Sequence, residues 1–280
     1  MRVAVIGHVE WTTIAELGRV PDRGEVVHAA VTWEGPAGGG AVAAVRMAEL
    51  TGGCVFLTAL GDDEAGERSR SALKGRGVEV LAVTRAAPTR TAVSLVDATR
   101  ERTTVTLGPR LHPEAEDPLP WDDLADFDAV FFAAGAPGVL RSARAARSLV
   151  VTTRELETVA AAGVRPDAMV GSARDGAERY RPELLAEAPG LVVVTDGANG
   201  GAFTVAGDHA GVYPAARVDG PILDTYGVGD TFAAALTVGL GANLGVAGAL
   251  ELAARCGSAC LTGTGPYGAV TSVAALRLPR

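Results

Sequence analysis

The stretch Leu223-Asp224-Thr225-Tyr226-Gly227-Val228-Gly229-Asp230-Thr231-Phe232, followed by Ala233-Ala234-Ala235-Leu236, reads as a glycine-rich turn feeding straight into a helix. The amides of Gly227, Val228 and Gly229 fall where a helix leaves its first N–H groups unpaired. Such an end carries partial positive charge and suits a phosphate or a developing oxyanion. Asp230 follows in the first turn, beside that anion site. There it acts either as a helix cap or as a carboxylate that takes a proton from a hydroxyl.

Composition removes several alternatives. The 280 residues carry a formal net charge of -8, which argues against nucleic acid as a partner. Lys74 is the only lysine, so no Gly-x-x-x-x-Gly-Lys-Ser/Thr can be written. Any phosphate grip must come from backbone amides, arginine or metal. Cys54, Cys256 and Cys260 make no disulfide framework in a chain of this length, and the last two share one helical face as small core residues. The uncharged run 232–250 is interrupted by Gly239, Gly241, Asn243 and Gly245, which fits two buried helices rather than a membrane span. The apolar run at the start is too short for a signal peptide, so a cytoplasmic protein is expected.

The elements that must position these residues follow in order. Residues 2–6 read as a buried strand ending at Gly7, and 25–33 as a second, partly exposed strand. A break at 35–40 precedes a helix over 41–50. Strands follow over 54–60 and 78–84, with a helix over 64–74 between them. Residues 91–97 and 102–107 form a hairpin. Strand and helix then alternate: strands over 128–133, 149–152, 168–171 and 191–195, helices over 139–147 and 154–162. This rhythm means parallel strands with helices on both faces, and ligands then collect at the carboxyl ends of the strands. The clustered β signals at 25–33 and 91–107 interrupt it and suggest a small separate sheet, such as a lid. No Gly-x-Gly-x-x-Gly follows the first strand, where Gly7-His8-Val9-Glu10 stands, so a dinucleotide fold is not indicated.

Asp224-Thr225-Tyr226-Gly227-Val228-Gly229-Asp230-Thr231-Phe232 resembles the signature of the ribokinase-like (PfkB) carbohydrate and nucleoside kinases, usually Asp-Thr-x-Gly-Ala-Gly-Asp-x-Phe. Pro21 with Gly24-Glu25, Gly38-Gly39-Gly40, Leu60-Gly61-Asp62-Asp63 with Gly66, Thr195-Asp196-Gly197 with Gly200, and Thr262-Gly263-Thr264-Gly265 follow in family order. The resemblance implies one α/β domain over 1–280: a three-layer α/β/α core around a mostly parallel sheet of nine or so strands, with lid segments at about 8–35 and 88–109. It implies an ATP-dependent phosphotransferase acting on an alcohol hydroxyl of a small sugar-like or nucleoside-like molecule. Asp230 would be the base, and Gly227, Val228 and Gly229 the anion hole. Thr195, Gly197, Gly200, Thr225, Gly263 and Gly265 would border the nucleotide, and Glu10, Thr12, Gly38 and Gly39 the acceptor. Mg²⁺ would lie near Asp175 and a monovalent cation such as K⁺ near Asp224. A homodimer through the lid is also implied.

Three departures qualify this. Where many relatives carry Asn-x-x-Glu, Ser172-Ala173-Arg174-Asp175 stands, with Ser172 equally readable as a helix cap. Thr12 stands at the usual sugar-binding Asp, with Glu10 where Asn is common, and Val42 at the usual Asn after the glycine run. A less polar acceptor contacted by Glu10 or Trp11 is then expected, although Trp11 reads equally as packing. The altered positions also leave open a catalytically degenerate sugar- or nucleotide-binding regulator of the same fold. A carboxylate at a helix N-terminus is expected to have a lowered pKa, which makes Asp230 ionised at pH 7 and a weak base whose proton moves late.

Overall fold

The computed structural model describes residues 1–206 and 209–268. The remainder of the expected 1–280 domain, 207–208 and 269–280, lies outside the described residues. The chain forms β1 (Val3–Ile6), β2 (Glu10–Glu16), β3 (Ala30–Ala37), α1 (Gly39–Thr51), β4 (Cys54–Gly61), α2 (Glu64–Lys74), β5 (Val78–Arg85), β6 (Thr91–Val96) and β7 (Arg102–Leu107). It continues through β8 (Ala129–Phe132), α3 (Pro137–Ala143), β9 (Leu149–Thr152), α4 (Leu156–Ala162), β10 (Ala168–Ser172), β11 (Leu191–Thr195), β12 (Gly201–Val205), β13 (His209–Tyr213), α5 (Val228–Gly241) and α6 (Gly245–Cys260).

Nine strands make one sheet in the order β13-β12-β11-β10-β9-β8-β1-β4-β5. All neighbours from β11 to β5 pair in parallel, and β12 and β13 extend the edge antiparallel. The layering follows from side-chain alternation along each strand. Val3 and Val5 join Ala129, Phe131 and Val150 in one buried cluster, with residues of α1, α5 and α6. Ala4 and Ile6 join Val130, Phe132, Leu149 and Val151 in the other, with α3 and α4. Because both faces of the central strands are covered, they read as unbroken apolar runs. Each large aliphatic side chain so buried contributes roughly 1.5–3 kcal/mol.

The second sheet has four strands, in the order β3-β2-β6-β7. β2 pairs with β6 in parallel and with β3 antiparallel across an irregularity between Ile14 and Ala15. Two local expectations change here. Residues 8–22 hold strand β2, and the strand expected over 25–33 starts later and runs through Ala37, into the glycine-rich stretch. The uncharged run does form two helices, α5 and α6, joined by a turn in which Asn243 takes a positive φ. No helix among the described residues is long and apolar enough to cross a membrane.

Candidate active site at the head of α5

The turn before α5 is clamped from behind. Asp224 is buried, and its two oxygens accept the N–H groups of Tyr226 at 2.8 Å and Gly265 at 2.9 Å. The carboxylate thus ties the turn to the loop after α6, where Gly263 N–H donates to the Cys260 carbonyl at 3.3 Å. Thr225 is half-buried between them. Gly227 caps the helix with φ 79°, and a Cβ there would stand 2.9 Å from Pro266, so the turn requires glycine. The other side is open: a Cβ on Gly229 would meet nothing within 4 Å. The α5 head is therefore packed at Gly227 and free at Gly229, with Val228 half-buried between.

Asp230 stands in the first turn and keeps partial exposure. Its Oδ1 would be 3.1 Å from a Cβ on Gly39, which brings the glycine run at the start of α1 directly against the acid. Burial pushes its carboxyl above the usual range, opposed by the charges of Arg102 and Arg154. This corrects the lowered pKa expected from the helix end. A helix terminus is worth about 0.3–1 kcal/mol, less than one pKa unit, whereas desolvation reaches several units. Asp230 is a stronger base than its position on the helix suggests.

Opposite it, past β1, lie His8 and Glu10. Glu10 is 7% exposed and pairs with Arg90 at 3.3 Å, while burial raises its pKa. Desolvation, with the charges of Arg110 and Arg90, lowers the pKa of the largely buried His8 to about 3, so the imidazole is neutral. Its Nε2 lies 3.7 Å from Glu10, and its Nδ1 is buried without a hydrogen-bond partner. A Cβ on Gly38 would touch both His8 and Glu10 at 3.1 Å. Thr12 is fully buried, its hydroxyl short of a well-formed hydrogen bond. It nevertheless opposes the burial that carries the Tyr226 phenol up to about 12. Val42 packs against Gly227. Trp11 is a packing residue of the small sheet: Arg68 stacks on it at 4.1 Å and its indole donates to Glu34 at 2.7 Å.

The remaining expected residues gather at the carboxyl ends of β10 and β11. Thr195 Oγ1 donates to the Gly171 carbonyl at 3.2 Å, and Ala173 N–H donates to the Thr195 carbonyl at 2.9 Å. Gly197, at φ 56°, lies against the Arg174 guanidinium, which is bound to Asp196 at 3.0 Å, and Gly200 closes the same turn at φ 79°. Ser172 Oγ accepts Arg174 N–H at 3.2 Å in the turn after β10, and no helix starts there, so the helix-cap reading does not apply. Asp175 caps the following turn through Ala177 N–H at 2.9 Å, and its other oxygen is bound by Arg154. Arg154 Nε also donates to Glu178 at 2.8 Å. A divalent ion demands carboxylate oxygens and water at close range. With both Asp175 oxygens occupied, one by a guanidinium, the donor set as arranged does not fit Mg²⁺. Among the described residues no group of three His, Cys, Asp or Glu could hold a metal.

Sequence reasoning did not single out His8, Arg154, Glu178 or Arg46. Glu178 had a signal, since Asp175-x-x-Glu178 repeats the carboxylate spacing one turn late. Arg154 and Arg46 lack one, because their roles depend on which strands and helices become neighbours.

Comparison with known proteins agrees with this fold. The pfkB family carbohydrate kinase model matches residues 1–147 and 139–272. No curated protein sequence matches. The structure is similar to ribokinase from Thermotoga maritima (TM-score 0.78, 18% identity, 99% of both chains). It is also similar to Arabidopsis thaliana ribokinase complexed with ribose and ATP (0.76, 19%, 98% of both). Adenosine kinase from Sinorhizobium meliloti matches at 0.75 and 19%, over 95% of both.

Proposed function

Because the chain belongs to the pfkB family of carbohydrate kinases, we propose that it is an ATP-dependent phosphotransferase acting on an alcohol of a small sugar-like or nucleoside-like molecule. The observation that carries this reading is the open α5 head at Gly229 beside an acid whose pKa burial raises.

The acceptor lies between the glycine run and the small sheet, against Gly38, Gly39, Glu10 and Thr12. The unpartnered His8 Nδ1 supports a polar acceptor rather than the less polar one expected from sequence, because buried polar atoms are normally hydrogen-bonded. The acceptor oxygen bonds to the γ-phosphorus as the bridging P–O bond breaks and ADP leaves with its electron pair. Asp230 takes the hydroxyl proton. The amides of Gly227, Val228 and Gly229 stabilise charge on the transferring group, the kind of positioning and neutralisation phosphoryl transfer requires. Thr195, Gly197, Gly200, Thr225, Gly263 and Gly265 border the nucleotide, and Mg²⁺ is not held by Asp175 as that residue is arranged. The four-stranded sheet acts as the lid, and a homodimer through it is part of this reading.

The engagement of Asp175 by Arg154 favours one alternative, a binding protein that kept the fold without the chemistry. A coupled ADP-release screen over sugars, nucleosides and hydroxymethylated vitamin precursors decides between them. Acceptor-stimulated turnover supports the kinase, and nucleotide binding without turnover supports the regulator. Running the screen with and without K⁺ tests a monovalent ion near Asp224, and Mg²⁺ omission tests the metal.

A further inference from the structure

Phosphoryl groups need compensating charge, and the only lysine of this chain, Lys74, lies in the exposed last turn of α2. Among the side chains, arginine is then the cation that can supply it beside the backbone amides. Arg174 is committed to Asp196, through both its side chain and its carbonyl. Arg154 stands differently. It follows β9, whose neighbours in the sheet are β8 and β10, so it rises from the middle of the carboxyl edge. Its guanidinium bridges Asp175 and Glu178, its side chain keeps 44% exposure, and its charge reaches Asp230. The supports are themselves fixed. Asp175 is pinned by Ala177 N–H, and the Glu178 carbonyl accepts the Thr153 hydroxyl at 2.7 Å.

This is a cation held in place by two acids, and its charge acts on the candidate base. Neither acid is needed to keep Arg154 folded, because the side chain is half-exposed. The pair with Asp175, whose side chains are 44% and 40% exposed, contributes little to stability. A triphosphate offers the same fork-shaped partner as a carboxylate with more negative charge, which allows the guanidinium to exchange one for the other.

We propose that Arg154 is a catalytic residue that binds the oxygens of the transferred phosphoryl group, with Asp175 and Glu178 holding it aimed at that position in the unliganded chain. The inference rests on the kinase reading above and names the side chain that neutralises the migrating charge. Bond changes are those already given: the acceptor oxygen joins phosphorus, ADP departs, and the proton goes to Asp230. Arg154 gains and loses hydrogen bonds only.

The test compares Arg154→Gln, Arg154→Lys, Asp175→Asn and Glu178→Gln in the full chain. Loss of one preorganised donor at a developing charge typically lowers kcat about 10²–10³-fold. Arg154→Gln is expected to show that loss with acceptor KM within about threefold, and Arg154→Lys to recover part of it. Calorimetry supplies a readout independent of turnover. The ratio of affinities for a non-hydrolysable ATP analogue and for ADP should fall at least about tenfold in Arg154→Gln, the usual scale of a charge-assisted contact. An unchanged ratio overturns the proposal. So does equal loss in Asp175→Asn and Glu178→Gln, since the arginine is then merely part of the turn. If the wild-type chain turns over no acceptor yet its affinity ratio depends on Arg154, the kinase reading fails and the phosphoryl contact stands. If the ratio is flat while acceptors are phosphorylated, the contact fails and the kinase stands.

Discussion

Arg46 Nε donates to Thr231 Oγ1 at 3.3 Å, joining the middle of α1 to the residue that follows the candidate base. The same guanidinium, fully buried, donates to Glu49 at 2.6 Å, to the Pro266 carbonyl and to the Cys260 sulfur. One side chain therefore fixes α1, α5, α6 and the loop that packs on Gly227. Removing the cation leaves the Glu49 carboxylate without its guanidinium in a buried site. Breaking such a pair typically costs about 3–5 kcal/mol. Arg46→Met should lose stability on that scale in urea, and the double variant with Glu49→Gln should lose less than the sum. A loss under about 1 kcal/mol would show that the junction is held by packing instead.

Asp230→Asn separates chemistry from folding. Removal of a general base lowers turnover by roughly 10²–10⁴-fold, while nucleotide affinity stays close to wild type. Stability should move the other way. Burial raises the folded pKa of this carboxyl above its unfolded value, so the folded chain holds the proton more readily. Stability conferred by that group is complete at low pH and is lost as pH rises through the raised pKa. At neutral pH the ionised acid is a burden that asparagine lacks. The variant should unfold at a higher temperature, by about 2–4 °C for each kcal/mol relieved. A lower Tm with unchanged turnover would remove Asp230 from both roles.

The same shift sets a pH profile. The base works as carboxylate, so kcat/KM should fall on the acid side at a pH above the ordinary aspartate range. Arg102 and Arg154 both oppose the shift, and Arg102 also stacks over the Tyr226 ring at 5.0 Å. Arg102→Gln should move the acidic limb to higher pH, because one compensating charge is gone. Initial rates measured from pH 5 to 9 decide the matter. A limb that stays fixed in that variant would assign it to another group, Glu10 and Glu178 being carboxyls that burial also raises.

Most of the large sheet was legible because buried parallel strands write themselves as apolar runs: residues 149–152 and 191–195 are strands over the bounds read from sequence. Strands β12 and β13 were not, since 201–213 is rich in Gly and Ala with only alternate positions protected. β2 was hidden for a related reason. Glu10 and Thr12 are polar residues on the buried face, which inverts the usual alternation. In the site, the glycines and Asp230 were readable from local spacing. The pKa of Asp230 was not, because its desolvation depends on what the fold packs against it, Gly39 from the far end of the chain among them. Arg154 was invisible for the same physical reason: its partners lie on the next strand's loop.

Two glycines against the same helix head should fail in opposite ways. At Gly227 the backbone sits at φ 79° and a Cβ would meet Pro266 at 2.9 Å. An alanine must strain the turn or push the loop away, at a cost of about 1–3 kcal/mol. Gly227→Ala should therefore lower the urea midpoint as well as activity. Gly39 opens α1, where an alanine improves helix propensity by up to about 1 kcal/mol. Its Cβ would instead stand 3.1 Å from Asp230 Oδ1, in the space an acceptor hydroxyl must enter. Gly39→Ala should keep or raise stability while increasing acceptor KM and lowering kcat. Nucleotide affinity should be unaffected. If Gly39→Ala leaves the kinetics untouched, the acceptor approaches Asp230 from another side, and the glycine run belongs to helix packing alone.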